Sequence, residues 1–447
     1  MATELGQKRT LASRFQNLST IVWAAWLCRE LAIFVGHTYR FSKLAGSFGF
    51  GWEGGRIAAS IATGHGFSSP FRPGTGPTAW LAPLYPYLLA GIFKVFGVYT
   101  TASSIAILSI NSIFSALTVI PVFYIAKRAF GRRVALWSAW LAALLPYAWY
   151  WAVRWAWETS LATLLLACVF LLTMRMAGLD SPASPSGDDY WHRRDWILYG
   201  LLWGLIALTN PSLLLWLPFS GIWLLHAQLR RGARAAWANA LLSAAIFVAL
   251  LAPWSVRNYR VFHRFIPIRG NLWVELHMGN GEDANGLWRF WLHPSQNPQE
   301  FAEYKQMGEV VYVQSKKREV LQFIRSEPGK FAELCLKRAI YYWYDVPRDA
   351  GSITGSLRNI AFLFSSILTF GGLIVMWRRR NRATFLFGSL LLAVPLIYYV
   401  TFPHPRYRAP IEPEMLILMV YLFTAAETRK LAKRSNPAMA GTAYQQS

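Results

Sequence analysis

The chain has 447 residues, of which 54% are apolar, 16% aromatic and only 15% charged. This composition excludes an ordinary soluble domain and indicates a polytopic membrane protein. The net charge of +23 comes from 45 Lys and Arg against 22 Asp and Glu. The basic residues form short clusters between apolar segments, as in cytoplasmic loops facing anionic lipid, so the charge predicts no nucleic-acid partner.

Long apolar segments predict transmembrane helices along most of the chain, because each can cross about 30 Å of hydrocarbon. Residues 196–229 are also apolar but have basic residues at both ends, which predicts a hairpin of two short helices turning outside at Asn210-Pro211. With this hairpin, the sequence predicts about ten transmembrane helices and both ends of the chain inside the cell. The other spans lie near residues 18–37, 102–126, 134–152, 157–174, 237–254, 358–377, 384–402 and 411–427.

The Pro-rich segment 80–97 is predicted to be a helix at the outer interface, with Trp80, Tyr85 and Tyr87 in the aromatic belt. Crossing the membrane there would place the basic stretch "KRAFGRR" outside, against the positive-inside rule. The expected organisation therefore includes two large outer segments. It consists of a cytoplasmic N-terminus (1–17), a transmembrane module (18–253) with an outer loop at 38–101, an extracytoplasmic helical lobe (254–357), C-terminal helices (358–428) and a cytoplasmic tail (429–447).

Three clusters of basic residues break the charge rule because they face outward. Guanidinium groups hold phosphate through two hydrogen bonds, so an anionic ligand explains these clusters. Binding of membrane lipid headgroups explains them equally well. The second cluster consists of Arg257, Arg260, Arg264 and Arg269. The candidate binding residues are Arg56, His65 and Lys94 in the first cluster, Arg257, Arg260 and Arg269 in the second, and His404, Arg406, Tyr407 and Arg408 in the third.

Two acidic residues fall at the same predicted outer face. Glu53 lies in the Gly-rich first outer loop, and Glu158 lies at the outer end of the fourth span. Together they could activate a nucleophile or hold a divalent cation. Structural alternatives are that Glu53 caps the helix beginning near Arg56, and that Glu158 pairs with Arg154.

Several motifs in this order resemble a known class of membrane enzyme. The motifs are Glu53 followed by "GRIAASIATGHGF", then "PTAWLAPLYPYLLAGIFKVFG", "APWSVRNYRVFHRFIPIRGNLWVELHMGN" and "PRYRAPIEP". From residue 20 to about 425 the chain resembles bacterial members of glycosyltransferase family 39, of the dolichyl-phosphate-mannose-protein mannosyltransferase type, and the lipid A aminoarabinose transferases. Both groups have the GT-C membrane fold.

This resemblance implies transfer of a sugar from a polyprenyl-phosphate donor, with inversion, to a lipid, glycan or protein. The reaction would take place on the outer face of a bacterial inner membrane. Glu53 and Glu158 match the family's catalytic acids, although the family commonly has Asp or Asp-Glu where this chain has a lone Glu53. Lys94 or the arginine clusters would hold the donor phosphate. No cofactor is required, and a divalent cation at Glu53 and Glu158 is the alternative.

Two other functions fit the same features. A transporter or flippase of lipid-linked sugars would also combine many helices with phosphate sites. The outward position of the charges and the absence of an inverted repeat in the sequence argue against it. The second is a catalytically inactive GT-C protein that only binds a lipid-linked sugar, and replacing Glu53 would distinguish it from an enzyme.

Overall fold

The computed structural model describes residues 15–41, 48–179, 193–230, 235–345 and 353–435. Within these ranges the chain forms α-helices and short 3-10 segments, and no β-strand. This confirms the predicted all-α fold. The 3-10 segments are Phe48–Phe50, Pro211–Trp216, Phe290–Leu292 and Pro405–Ile411. The α-helices, in chain order, are α1 (Leu18–Val35), α2 (Glu53–Ala62), α3 (Leu84–Phe96), α4 (Thr101–Leu117), α5 (Val119–Phe130), α6 (Arg132–Leu144), α7 (Pro146–Trp149), α8 (Thr159–Met176), α9 (Arg193–Thr209), α10 (Leu217–Leu229), α11 (Ala236–Phe262), α12 (Leu272–Gly279), α13 (Pro298–Met307), α14 (Glu309–Ser326), α15 (Pro328–Tyr344), α16 (Ile353–Arg378), α17 (Thr384–Ala393), α18 (Leu396–Val400) and α19 (Glu412–Ser435).

Seven helical segments of the described chain are long and apolar enough to cross a membrane. The chain is an integral membrane protein by this measure, but the predicted count of ten spans is not confirmed. The predicted span at 134–152 contains a helix of only 13 residues, Arg132–Leu144, and 384–402 divides into α17 and α18. The seven are Leu18–Val35, Thr101–Phe130, Thr159–Met176, Pro211–Leu229, Ala236–Phe262, Arg358–Arg378 and Pro405–Glu427.

Basic residues collect at one end of the helix bundle, called the basic end. Arg175 in the last turn of α8 pairs there with Asp195 in the first turn of α9. The turn between α16 and α17 reaches the turn between α5 and α6, since the Asn381 side chain donates to the Ala129 carbonyl over 3.0 Å. The other ends of α8 and α9 meet at the opposite end of the bundle, called the cavity end. The basic end carries Lys127, Arg128, Arg132, Arg133, Arg175, Arg193, Arg194, Arg230, Arg378, Arg379, Arg380 and Arg382.

Glycine allows close helix packing in two places. A Cβ at Gly200 of α9 would overlap the Ser243 carbonyl of α11, and a Cβ at Gly372 of α16 would overlap the Leu418 carbonyl of α19. Lipid tails are as apolar as the side chains, so such close van der Waals contact is a main source of helix association in a membrane. These contacts fix α9 against α11 and α16 against α19.

Helices α12 to α15 form the predicted lobe, but its start differs from the prediction. α11 continues to Phe262, so residues 254–262 extend a membrane helix. The lobe is joined to the first outer loop by Glu309, which accepts hydrogen bonds from the Ala79 amide at 2.7 Å, from the Tyr304 hydroxyl at 2.8 Å and from Thr78. Loop and lobe therefore form one packed unit. The other predicted domain boundaries stay predictions.

The aromatic belt is only partly as predicted. Trp80 and Tyr85 are buried inside the protein, whereas Tyr87 is 49% exposed. Tyr85 turns inward because its hydroxyl donates to Asn111 Oδ1 at 3.0 Å. Two of the three expected belt residues thus belong to the protein interior.

The close contact at Gly372 predicts a stability difference between two glycines. Gly372→Ala should lower the free energy of unfolding by about 1–3 kcal/mol through overpacking against Leu418. At Gly388 in α17 the nearest atom to a new Cβ would be 4.0 Å away, so Gly388→Ala should be neutral or stabilising by up to about 1 kcal/mol. Thermal unfolding of the detergent-solubilised variants measures both. Equal shifts would contradict the packing of α16 on α19.

Candidate active site

A cavity of about 160 Å³ lies at the cavity end, between the membrane helices and the lobe. Because one water needs only about 10–15 Å³, the cavity has room for several waters around the charged side chains. Six predicted site residues line the cavity, together with Glu275 and His293 of the lobe, which the sequence reading missed. The predicted six are Glu53, Glu158, Arg269, His404, Arg406 and Tyr407.

The Gly-rich stretch around Glu53 forms a turn with two consecutive residues at positive φ, one a glycine and one a tryptophan. Gly51 has φ +91° and Trp52 has φ +49°, both in the left-handed region. A Cβ at Gly55 would overlap the Phe50 carbonyl. The turn makes Glu53 the first residue of α2, where the helix dipole favours a negative charge. Its side chain is 15% exposed, towards the cavity.

The segment carrying Glu158 packs directly on this turn. The Ala156 amide donates to the Gly49 carbonyl over 2.9 Å, and a Cβ at Gly51 would overlap the Ala156 carbonyl. This contact brings Glu158, which immediately precedes α8, into the cavity with Glu53. Glu158 forms no ion pair with Arg154, whose exposed guanidinium lies 5.8 Å from the Trp155 ring centre. The structural alternative for Glu158 therefore lacks its expected contact.

Glu53 is bound by a histidine of the lobe. His293 Nε2 lies 2.9 Å from Glu53 Oε1, and His293 is only 3% exposed. The ring stacks on Trp52, with centroids 4.8 Å apart and planes at 20°. His293 Nδ1 accepts a hydrogen bond from the Ser295 amide at 3.1 Å. Both ring nitrogens are thus engaged, one of them with Glu53.

The surroundings move the pKa values of two cavity carboxyls in opposite directions. Burial would raise the pKa of Glu53, but the hydrogen bond from His293, its own backbone N–H and the charge of Arg56 hold it below the ordinary value. Burial raises the pKa of Glu275, and the negative charge of Glu53 adds to this against the positive charge of Arg269. Carboxyls separated in this way suit different roles, and Glu53 is the one favoured as an ionised base.

Arg406 and Arg269 supply positive charge to the same cavity. The Arg406 guanidinium lies 3.9 Å from the centre of the Trp157 ring, and Trp157 itself stacks on Trp155 at 5.2 Å and 22°. Arg406 Nε is buried and has no hydrogen-bond partner within the described ranges. The stack orients a guanidinium that retains capacity to bind an anion.

Three predicted binding residues lie on the surface outside the cavity. His65, Lys94 and Arg260 are exposed. His65 is close to Thr63 Oγ1, at 3.0 Å, within its own loop. Lys94 lies in the last turn of α3. The outward charge pattern that suggested them does not distinguish a cavity from the surrounding surface.

Three other predicted binding residues have contacts within the protein. Arg257 donates to the Thr78 carbonyl at 2.7 Å and the Phe67 carbonyl at 2.8 Å, which fixes the first outer loop. Arg56 donates to Ser295 Oγ at 2.9 Å. Arg408 is 1% exposed and pairs with Glu412 at 3.4 Å. The hydrogen bonds of these three arginines hold the scaffold together, and their predicted phosphate contacts stay predictions.

The missed residues gave little signal in the sequence. Glu275 lies in the quoted motif "NLWVELHMGN" but stands in the lobe, more than 100 positions after Glu158. Asn271 Nδ2 orients it by donating to Oε1 over 2.8 Å. His293 stands alone between two short helices, with no spacing that links it to Glu53. Only the docking of the lobe on α2 identifies both.

The cavity carboxylates do not by themselves make a metal centre. Among the described residues, no three His, Cys, Asp or Glu side chains group closely enough to hold a metal ion. Glu53 already accepts from His293. The alternative of a cation at Glu53 and Glu158 stays an untested prediction, as does the expectation that no cofactor is required.

Comparison with solved structures identifies the fold. The chain superimposes on the archaeal oligosaccharyltransferase AglB of Archaeoglobus fulgidus, solved with an inhibitory peptide and a dolichol-phosphate. The TM-score is 0.51 at 12% identity, covering 94% of this chain and 52% of AglB. A second structure of the A. fulgidus oligosaccharyltransferase, tethered to an acceptor peptide, gives a TM-score of 0.52 at 12% identity, with 92% and 50% covered. This chain therefore has the GT-C-type fold of membrane glycosyltransferases and spans about half the length of these enzymes.

Other comparisons are weaker. ArnT from Cupriavidus metallidurans matches with a TM-score of 0.35 at 14% identity, covering 83% of this chain and 72% of ArnT, which is too low to indicate a shared fold by itself. No family model matches the chain, and no curated protein sequence matches it either.

The contacts of Arg257 predict a structural role that separates it from its neighbour Arg260. Arg257→Gln replaces a guanidinium that spans the Thr78 and Phe67 carbonyls with a shorter side chain carrying one amide nitrogen. At least one of these carbonyls then loses its donor, at a cost of about 1–3 kcal/mol if it stays dry. Arg260→Gln changes an exposed residue and should stay within about 0.5 kcal/mol of wild type. Thermal unfolding and protease cleavage within residues 67–83 report both effects. Equal stability and equal cleavage of the two variants would contradict the structural role of Arg257 in the first outer loop.

Proposed function

We propose that this protein is an inverting glycosyltransferase. It moves a sugar from a polyprenyl-phosphate donor to a hydroxyl of a lipid, glycan or protein acceptor on the outer face of the membrane. The observation that carries the proposal is one solvated cavity holding a base, Glu53, and two guanidinium groups, Arg269 and Arg406. A base and an anion clamp facing one space are the two requirements of this displacement.

The reaction follows from these two groups. An acceptor hydroxyl attacks the anomeric carbon while Glu53 takes its proton, so a new C–O bond forms on the face opposite the donor phosphate. The old C–O bond breaks, and its electron pair leaves with the phosphate. Arg406 and Arg269 stabilise the charge that develops there. The sugar is thereby transferred with inversion, and polyprenyl phosphate is the second product.

The position of the cavity supports a lipid-linked donor. It lies where the start of α8, the end of α9 and the end of α18 meet, so a phosphate there would be level with the helix ends. A polyprenyl chain attached to that phosphate can extend along the helices into the bilayer. The basic end lies at the opposite ends of α8 and α9, and the positive-inside rule therefore supports a cavity on the outer face.

Glu158 has a different role from Glu53 in this proposal. It lines the cavity without a side-chain capping bond to α8. Its charge balances the two guanidiniums and can accept hydrogen bonds from sugar hydroxyls. Glu53 is the proton acceptor in this proposal because His293 orients its carboxylate and lowers its pKa.

Removal of the base tests the mechanism. Glu53→Gln keeps an oxygen that can accept from His293, so the site should remain assembled while kcat falls at least about a hundredfold. The assay is release of polyprenyl phosphate by the reconstituted protein from a panel of polyprenyl-phosphate sugars. Glu282→Gln, which changes an exposed lobe carboxylate, serves as the matched control. Unchanged turnover in Glu53→Gln would refute this mechanism, whereas donor binding without turnover in wild type and variant alike would favour the inactive binding protein.

The anion clamp is tested independently. Arg406→Gln should reduce kcat roughly a hundredfold, as for loss of one donor to a developing oxyanion. Arg264→Gln, which changes an exposed arginine of the same predicted cluster as Arg269, should leave kcat and donor KM unchanged. Steady-state kinetics with varied donor concentration measures both. Equal losses in the two variants would show that surface charge, and not the cavity guanidinium, governs the donor.

A further inference from the structure

We infer that His293 is a positioning residue: from the lobe, it holds the Glu53 carboxylate ionised and fixes one of its oxygens, leaving the other for the acceptor hydroxyl. Its importance for turnover rests on the proposed function. The contact itself is a property of the structure, since His293 Nε2 is 2.9 Å from Glu53 Oε1. The lobe thereby supplies the hydrogen-bond partner of Glu53, which belongs to the first outer loop.

The hydrogen bonds of His293 determine where its proton lies. Nδ1 faces the Ser295 amide, an obligate donor, at 3.1 Å, so Nδ1 must be the unprotonated nitrogen. The ring proton is therefore on Nε2 and points to Glu53. With Nε2 protonated and the Nδ1 lone pair engaged by an amide, His293 has no free lone pair with which to act as the base itself. Its contribution is to orient and stabilise the carboxylate.

Aromatic contacts hold the ring in this orientation. Trp52, the residue before Glu53, stacks on it at 4.8 Å, and Phe71 meets it edge-on at 5.4 Å. Trp80 makes a further edge contact at 6.2 Å. Since Trp52, Phe71 and Trp80 all belong to the first outer loop, the loop forms the pocket into which the lobe inserts His293.

A second hydrogen bond between α2 and the lobe makes it possible to test lobe docking separately from the positioning of Glu53. Arg56, one turn after Glu53 on α2, donates to Ser295 Oγ at 2.9 Å. Ser295→Ala removes this bond but keeps the backbone amide that fixes His293. The variant therefore weakens lobe docking without changing the proton on His293.

Loss of His293 should alter how Glu53 titrates. Burial raises the pKa of Glu53, and without the His293 hydrogen bond less remains to lower it, so the pKa rises. Because the ionised carboxylate is the active form, activity on the acid side should begin to fall at a higher pH than in the wild type. The charged groups facing Glu53 are Arg56 on α2, His293 and Glu275 from the lobe, Glu158 before α8, Arg269 after α11, and His404 and Arg406 from the last outer segment.

The experiment compares His293→Leu with His293→Gln in the full-length reconstituted protein. The Leu variant should lose roughly tenfold to a hundredfold in kcat, less than removal of a general base. Donor KM should hardly change, and the acid limb of the pH profile should move up by about one unit or more. His293→Gln retains an N–H near the Nε2 position and should recover part of both effects.

An infrared titration of carboxyl protonation needs no turnover and so separates this inference from the proposed function. The band assigned by its disappearance in Glu53→Gln should titrate at higher pH in His293→Leu than in wild type. Ser295→Ala should titrate like wild type. An unshifted band in His293→Leu, or the same shift in Ser295→Ala, would overturn the positioning role. A shifted band in a protein that is inactive towards all donors would support the positioning role of His293 and refute only the proposed transferase activity.

Discussion

The candidate site depends on the close approach of two backbone segments that only glycine allows. The turn before Glu53 lies on the segment before α8, with Gly49 accepting from the Ala156 amide and no room for a side chain at Gly51. This contact sets the relative position of the two sequence-predicted acids, Glu53 and Glu158. It also explains the glycine two residues before the carboxylate: Gly51 has a positive φ and lies against the Ala156 carbonyl.

At the cavity end, the surroundings of each arginine depend on burial and ring packing as well as on its hydrogen bonds and ion pairs. Arg257 and Arg408 form hydrogen bonds or ion pairs inside the protein. Arg406 instead lies on the face of the Trp157 ring, and its Nε–H has no hydrogen-bond partner among the described residues. An arginine that packs on an aromatic ring keeps its orientation without neutralising its charge. Arginines that look alike in the sequence therefore differ in the structure, because some donate to acceptors of the scaffold and Arg406 keeps an N–H without a partner among the described residues.

The lobe is part of the site and not only its cover. Glu309 accepts hydrogen bonds from the first outer loop, and His293 reaches Glu53. Because these contacts join segments more than 200 residues apart, the active geometry exists only when lobe and loop are docked. Glu275 enters the cavity by the same docking. The GT-C-type fold brings membrane helices together, and the lobe adds the residues that control the carboxylate.

The sequence by itself determined the all-α membrane architecture and the turn at Asn210, and it singled out Glu53 and Glu158, the two acids that line the cavity. It could do so because hydropathy, charge asymmetry and Gly-rich turns are local signals. It did not determine which outward arginines face the cavity, since a charge pattern records the side of the membrane but not the nearest carbonyl. It also missed His293 and Glu275. Their roles depend on the lobe packing against α2, a contact between distant segments that no local spacing encodes.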